Sequence, residues 1–481
     1  MPQMTETLAG TQAFLVDGKW IEEGDPVEIK APFDGKVIGT VRQGRREHAE
    51  QAIAASVKAF GTTRRLPAFE RQRVLRSIAQ NIGARKEEYA HTMALEAGKP
   101  IRAARTEVER AIFTFQVAAE ESTRIYGEYI PLDWQEFTAG RWGMVRRFPL
   151  GPIAGITPFN FPLNLVAHKV APAIAAGCSM VLKPAPQTPF TAMLLAESVQ
   201  QAGWPDGALN VLPLSNEDAG ILVSDDRIKL ISFTGSAGVG WDIKRRAGKK
   251  KVVLELGGNA GVIVHSDTDL AYAAERCVAG GFGYAGQTCI SVQRILVERS
   301  VSAKFIELLV AGVEKLHSGD PLDEATDVGP LIRESDAIRA YDWIQEAIRY
   351  GARLLCGGHR HGSMLEPTVL TGTKPEMKVN CQEIFAPVVT VETYDNFSDA
   401  IRELNRSQYG LQAGVFTRDV KLLFDAYAEL EVGGMIAGDV PSFRIDHMPY
   451  GGVKDSGLGR EGLRYAIDEM TEPKLLVMNL R

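Results

Sequence analysis

Cys289 lies in Gly286-Gln287-Thr288-Cys289-Ile290-Ser291, between a glycine-rich stretch, AGGFGYAG, and an apolar run, SVQRILV. A thiol in a loop with small neighbours can add to an electrophilic carbon, whereas the same thiol in a core is inert filler; spacing alone leaves both open. Leu254-Glu255-Leu256-Gly257-Gly258-Asn259 ends an apolar strand with a carboxylate before two glycines. In apolar surroundings such an acid has a raised pKa and can take a proton from water near neutrality; beside a cation it is only a strand-end salt bridge. Thr157-Pro158-Phe159-Asn160-Phe161-Pro162 places Pro162 to open the helix LNLVAHKVAPAIAAG, so Asn160 is also readable as a simple N-cap. Phe233-Thr234-Gly235-Ser236-Ala237-Gly238-Val239-Gly240 puts small residues at a strand-to-helix junction, where backbone N–H groups can approach a diphosphate. It does not match GxGxxG, and a packing turn is an equal reading.

The elements that must position these groups follow from periodicity. Residues 12 to 42 are short alternating runs broken by Asp17-Gly18, Gly24-Asp25-Pro26 and Asp34-Gly35, as strands and tight turns are. From about 46 to 120 the period is helical, and residues 124 to 150 form an aromatic, strand-like excursion. From 151 onward GPIAGITPF, SMVLKP, ALNVLPL and KLISFTG alternate with helical stretches, which predicts βαβ units around a buried parallel sheet. KVVLELGGNAGVIVH is expected to open a second α/β block running to about 445, and EPKLLVMNL is a lone strand, expected to pair with the 124 to 150 hairpin or with another subunit.

Composition narrows the class. Sixty acidic against 54 basic side chains give a net charge of −6, with 45% hydrophobic and 24% charged residues, so disorder and disulfide frameworks are excluded. The length of 481 residues predicts two or three domains. No apolar run approaches the ~20 residues of a membrane span, and MPQMTETLAG has no basic region followed by an apolar core, which predicts a cytoplasmic protein. The basic residues read as scattered, so a small-molecule partner is expected rather than nucleic acid or a membrane. Cys178, Cys277, Cys289, Cys356 and Cys381 are widely spaced, which argues against disulfides and against a thiolate metal site, and no metal is expected.

Taken together the segments resemble the aldehyde dehydrogenase superfamily. The matching pieces are ITPFNFP (156–162), LKPAPQTP (182–189), FTGS (233–236), LELGGN (254–259), GQTC (286–289), EIFAPV (383–388) and PYGGVKDSGLGREG (449–462), in the family's order. The resemblance implies an α/β fold: two Rossmann-like α/β domains plus a small β oligomerisation element. The dinucleotide-binding domain is expected over 1–123 and 143–251, the catalytic domain over 252–445, and the oligomerisation element over 124–142 and 465–481, which implies a homo-oligomer, dimer or tetramer.

By the same resemblance Cys289 is the nucleophile, Glu255 the general base and Asn160 an oxyanion donor, with Lys169 a source of positive charge or, equally, a surface residue. The dinucleotide would meet Ile156, Thr157, Pro158 and Phe159, then Phe233, Thr234, Gly235 and Ser236, with Leu256, Glu383 and Phe385 toward the nicotinamide. Lys183 and Pro186 would face the adenosine ribose; Pro186 stands where NAD-preferring relatives carry a glutamate, so use of both NAD and NADP is expected. Substrate contacts would come from Phe161, Thr288, Ile290 and Tyr450, with Arg110, His168 and Arg444 as polar donors suited to a short polar or anionic aldehyde. The opposing reading has the arginines paired with Glu107 or Asp446 and His168 satisfied in the core. Ala386 replaces the family's usual glycine and Gln382 a frequent glutamate. The implied reaction is NAD(P)-dependent oxidation of an aldehyde to its acid through a thiohemiacetal and a thioester. A CoA-acylating enzyme, disfavoured by Glu255, and a non-catalytic protein on the same fold are the alternatives.

Overall fold

A computed structural model describes residues 11–480; the N-terminal segment MPQMTETLAG and Arg481 lie outside the described residues. An eight-stranded sheet runs in the order Gly457–Leu458, Lys251–Glu255, Leu230–Thr234, Ile153–Ile156, Met180–Lys183, Leu209–Val211, Phe14–Val16 and Lys19–Ile21. Its five central strands are parallel. They are almost wholly buried, because helices cover both faces, and the continuous apolar runs of the sequence express that. The helices Arg46–Thr63, Ala68–Ala84, Lys86–Ala97 and Ile101–Glu121 add Ile53, Leu75, Ile78, Tyr89 and Phe115 to this core.

A seven-stranded sheet forms the second α/β domain, in the order Arg353–Cys356, Thr368–Thr371, Val388–Tyr394, Val292–Glu298, Ala260–Val264, Gln412–Phe416 and Gly434–Ala437. Only the first of these strands is antiparallel to its neighbour. KVVLELGGNAGVIVH therefore does not open the second block as a unit. Lys251–Glu255 belongs to the first sheet and Ala260–Val264 to the second, so the expected boundary at 252 falls inside a strand and the crossover is the Gly257-Gly258 turn.

The third sheet joins Glu128–Pro131, Arg141–Pro149 and Thr471–Asn479. The tail strand pairs with the hairpin of its own chain, from Thr471 opposite Pro149 to Asn479 opposite Arg141. The expected limits of this element shift accordingly. Residue 142 lies within the central strand, and 465 lies within the helix Leu463–Glu469, which belongs to the first domain's core. Among the described residues no helix is long and apolar enough to cross a membrane. All five cysteines are free, with Cys178 and Cys277 buried.

Candidate active site

Four adjacent parallel strands end together at Lys183, Ile156, Thr234 and Glu255, the end of an open α/β sheet where ligands bind. After Ile156 the chain turns through the Pro158–Pro162 loop into the helix Asn164–Ala176. Asn160 does not cap that helix. Its first amides, Leu163 N and Asn164 N, donate to the buried Glu107 carboxylate, itself ion-paired with buried Lys99. Asn160 is left free to donate through Nδ2 to the Gln287 carbonyl at 2.9 Å, while its own Oδ1 is buried without a partner.

Cys289 reaches the same place from the second domain. The helix Leu270–Phe282 ends in a turn in which Tyr284, Ala285 and Gly286 all take the left-handed conformation, with φ of 49°, 52° and 68°. Gln287 then anchors the loop, donating to the Pro330 carbonyl and accepting from Ile332 N. A Cβ at residue 258 would lie 2.1 Å from the Cys289 carbonyl oxygen, so glycine is required there for the loop to close.

One cavity of about 350 Å3 is lined by Cys289, Glu255 and Asn160, by the flanking Thr288 and Ile290, and by Phe161, Leu165 and Tyr450. Toward the cofactor cleft the lining continues through Pro158, Phe159, Thr234, Gly235, Ser236 and Leu256. From the second domain come Glu383 and Phe385. Phe385, at φ 51°, meets Phe159 edge-on, and Glu383 accepts from Gly258 N at 2.8 Å. Burial pushes the Glu383 carboxyl up to about 7.

The titratable groups are far from their solution state. Both Glu255 oxygens are buried without a hydrogen-bond partner. Burial, helped by the charge of Glu461, raises its pKa well above the carboxylate range. Burial likewise pushes the Cys289 thiol up to about 11, against the opposing influence of the Tyr450 hydroxyl and Arg444. Lys169 is not a surface charge. It is buried under the first sheet, donating to Ser232, Thr234 and Glu461, and it does not line the cavity.

The predicted polar donors divide. Arg444 and Arg110 line the cavity, and both are already paired, Arg444 with Glu461 at 2.9 Å and Arg110 with Asp446 at 2.7 Å. The Arg444 guanidinium carbon lies over the Tyr450 ring, 3.7 Å from its centroid, and its Nε is buried without an acceptor. His168 does not reach the cavity as expected. It sits behind the wall, 2.8 Å from Asp446, and burial lowers its pKa, so the neutral ring donates to that carboxylate. The helical turn that carries Asn164 toward the cavity points His168 inward, toward Asp446, which also accepts from Asn164.

Sequence reasoning passed over Glu461, embedded in the GREG motif, and the helix turn of Asp336 and Arg339, which also lines the cavity. Nothing in their spacing marked them. Asp446, expected only as an ion-pair partner, is the common acceptor for Arg110, Asn164 and His168.

A nicotinamide dinucleotide fits the cleft. Lys183 is buried at a strand end, its ammonium without a protein partner among the described residues, and Thr157, whose N–H donates to the Lys183 carbonyl, has a buried orphan Oγ1. The helix Ala237–Arg246 starts at the cavity with no side-chain cap on its N-terminus, as a diphosphate requires. Pro186 lies on the exposed turn beyond Lys183 and offers no donor.

A two-domain α/β chain with a thiol, an orphan carboxylate and an amide around one cavity is the architecture of a cysteine-dependent dehydrogenase. The aldehyde dehydrogenase family model matches residues 20–476, and the chain belongs to that family. It is an enzyme that oxidises an aldehyde with NAD or NADP as acceptor. The chain is 43% identical over 466 residues to 3-sulfolactaldehyde dehydrogenase of Priestia megaterium, covering 97% of each protein. It is 45% identical to aldehyde dehydrogenase 21 of Physcomitrella patens, solved with the reaction product succinate, with a TM-score of 0.97 over 98% of this chain and 99% of that one. A third similar structure is the glyceraldehyde-3-phosphate dehydrogenase GapN of Methanocaldococcus jannaschii complexed with NADP, 40% identical with a TM-score of 0.92 over 95% of this chain and 100% of that one.

Proposed function

We propose that this chain oxidises a short aldehyde whose far end is anionic or hydroxylated, and that Cys289, Glu255 and Asn160 carry the reaction. The supporting observation is the placement of Arg110 and Arg444 in the lining of the same small cavity as Cys289. Guanidinium groups attract carboxylate, sulfonate or phosphate, and although the Arg110 fork is taken by Asp446, Arg444 keeps an Nε without an acceptor beyond its bond to Glu461. Names among the relatives agree with this: one acts on sulfolactaldehyde and another was solved with succinate.

Cys289 releases its proton to solvent, and its sulfur adds to the carbonyl carbon, whose C=O π pair moves onto oxygen. The second N–H of the Asn160 amide and the Cys289 backbone N–H donate to the resulting alkoxide, a role in which one donor is worth about 3 kcal/mol. When bound, the dinucleotide accepts the hydride. The substrate is then held on Cys289 as a thioester, and Glu255 takes a proton from the water that attacks it, releasing the acid and restoring the thiol. Glu255 suits this step because it has no competing hydrogen bond. Lys183 would hold the adenosine ribose, with Glu383 and Phe385 against the nicotinamide end.

The reading includes a homo-oligomer. Leu475, Leu476 and Val477 on the tail strand are 51%, 49% and 47% exposed, apolar side chains on both faces of an edge strand that a second subunit would cover. The test of substrate class is a panel of short anionic and hydroxylated aldehydes against hexanal and benzaldehyde, in wild type and Arg444→Ala. The expected result is higher kcat/KM for the polar set and its selective loss in the variant. Preference for the apolar aldehydes with no effect of Arg444→Ala overturns it.

A further inference from the structure

Two Arg-Arg doublets far apart in the sequence, Arg64-Arg65 and Arg146-Arg147, meet in the fold. The first lies in the turn between the helices Arg46–Thr63 and Ala68–Ala84, the second on the strand Arg141–Pro149. With Arg71 they line a cavity of about 450 Å3 that has no carboxylate in its lining and shares no residue with the active-site cavity. The expectation that the basic residues are scattered is thus corrected: folding gathers five arginines around one hollow.

Many arginines elsewhere are paired with acids, as in Arg76 with Glu120 and Arg85 with Glu88 and Glu197, and those that are not, such as Arg294 and Arg460, donate to backbone carbonyls. Here only Arg147 has an acid, Asp468 at 3.3 Å. Among the described residues Arg64, Arg65, Arg71 and Arg146 have no carboxylate partner. Arg71 donates to the Ala175 carbonyl at 2.7 Å, and its Nε is buried without an acceptor. Arg64 and Arg146 rest over the rings of Phe60 and Phe148, and Lys474 adds a further cation over Phe148 at 4.7 Å. The helix Ala68–Ala84 begins at the cavity, with Ala68 in its lining and Pro67 at the N-cap position, so no side chain caps its first amides.

Like charges held together in a concave site repel one another and focus a positive field, and both effects are relieved by a bound anion. In a chain of net charge −6 this concentration is not a general surface property. We propose that the cavity is a second ligand site, taking a small molecule that carries a diphosphate or a comparably dense anionic group. Leu66, Ile125 and Phe148 supply an apolar floor beside the arginines, which suits a ligand with an organic body as well as its phosphates. The bound group would tie the first helices to the sheet that holds the tail strand.

The test is titration of the full-length enzyme with inorganic pyrophosphate and, separately, ADP, each in the presence of saturating NADP so that the dinucleotide cleft is filled. Calorimetry and melting temperature are the readouts, in wild type and in Arg64→Ala/Arg146→Ala. Saturable binding that raises the melting temperature and weakens at least tenfold in the double variant, while aldehyde oxidation without pyrophosphate is unchanged, supports the site. Tighter binding of ADP than of pyrophosphate supports a nucleotide-like ligand on the apolar floor; equal binding supports the phosphate group alone. Equal pyrophosphate affinity in wild type and double variant overturns the proposal. So does absence of binding in wild type with dissociation of the assembly in the variant, which assigns the arginines to carboxylates of a second copy.

Discussion

The hydroxyl of Tyr450 lies 2.8 Å from Sγ of Cys289, beneath a guanidinium from Arg444. The hydroxyl is a donor for a thiolate, and the cation over the ring strengthens it as a donor. Tyr450→Phe removes that bond with little change in volume. A hydrogen bond to a charged acceptor is worth about 1.5–3 kcal/mol, so the apparent thiol pKa is expected to rise by about one to two units. The pH profile of iodoacetamide inactivation measures it; an unchanged profile refutes the role.

Cys289→Ala is expected to abolish aldehyde oxidation while leaving melting temperature and dinucleotide affinity near wild type. Glu255→Gln is expected to give a burst of reduced cofactor followed by a stalled steady state, because acylation proceeds and hydrolysis does not. In wild type the carboxyl of Glu255, raised by burial, must lose its proton before it can act, so the deacylation rate is expected to climb with pH. Stopped-flow traces across pH read both effects, and full activity in Cys289→Ala would remove the thiol from the chemistry.

Lys183 is expected to set a difference between the two cofactors. Burial lowers its pKa to about 8, so the ammonium is charged below that pH and neutral above it. A 2′-phosphate needs that charge more than a ribose hydroxyl does. The KM for NADP should therefore rise above pH 8 more steeply than the KM for NAD. At neutral pH both cofactors are expected to work within a thousandfold of each other, and Pro186→Glu should shift preference toward NAD by charge repulsion.

Asp446 accepts from Arg110, Asn164 and His168 at once. Asp446→Ala strands those donors in a buried site, and removal of one partner from a buried ion pair is worth about 3–5 kcal/mol. A lowered urea midpoint is expected, with a raised KM for anionic aldehydes because Arg110 loses the contact that orients it. A wild-type midpoint would mean that water replaces the carboxylate without loss.

Acid should act through Glu461. Burial works to raise its pKa, but Lys169 and Arg444 outweigh it and hold the group at about 2. With the folded pKa below the unfolded one, its contribution is complete above the ordinary carboxylate range and is lost as pH falls toward 2. Glu461→Gln is expected to flatten the acid limb of stability against pH.

Light scattering checks assembly. A mass at a multiple of 52.5 kDa is expected at micromolar concentration, and a monomer would leave the exposed tail strand unexplained.

The strands, their order along the chain and the residues with reactive chemistry were legible in the sequence, because burial on both faces of a parallel sheet demands continuous apolar runs and because a thiol, a carboxylate and an amide each announce themselves by type. The motif resemblance joins Cys289, Glu255 and Asn160 into one expected site. What local pattern could not carry was partnership across the chain. Whether Glu255 ended the first sheet or began the second depended on which strands it hydrogen-bonds, and periodicity is the same in either. His168 and Arg444 looked equivalent as donors, yet one turns behind the wall to Asp446 while the other lies in the cavity over Tyr450. Two arginine doublets became a single cavity only when the turn after Thr63 came to rest against the strand at Arg146. Charge and pKa depend on distance and burial, and those quantities exist only once the chain has closed on itself.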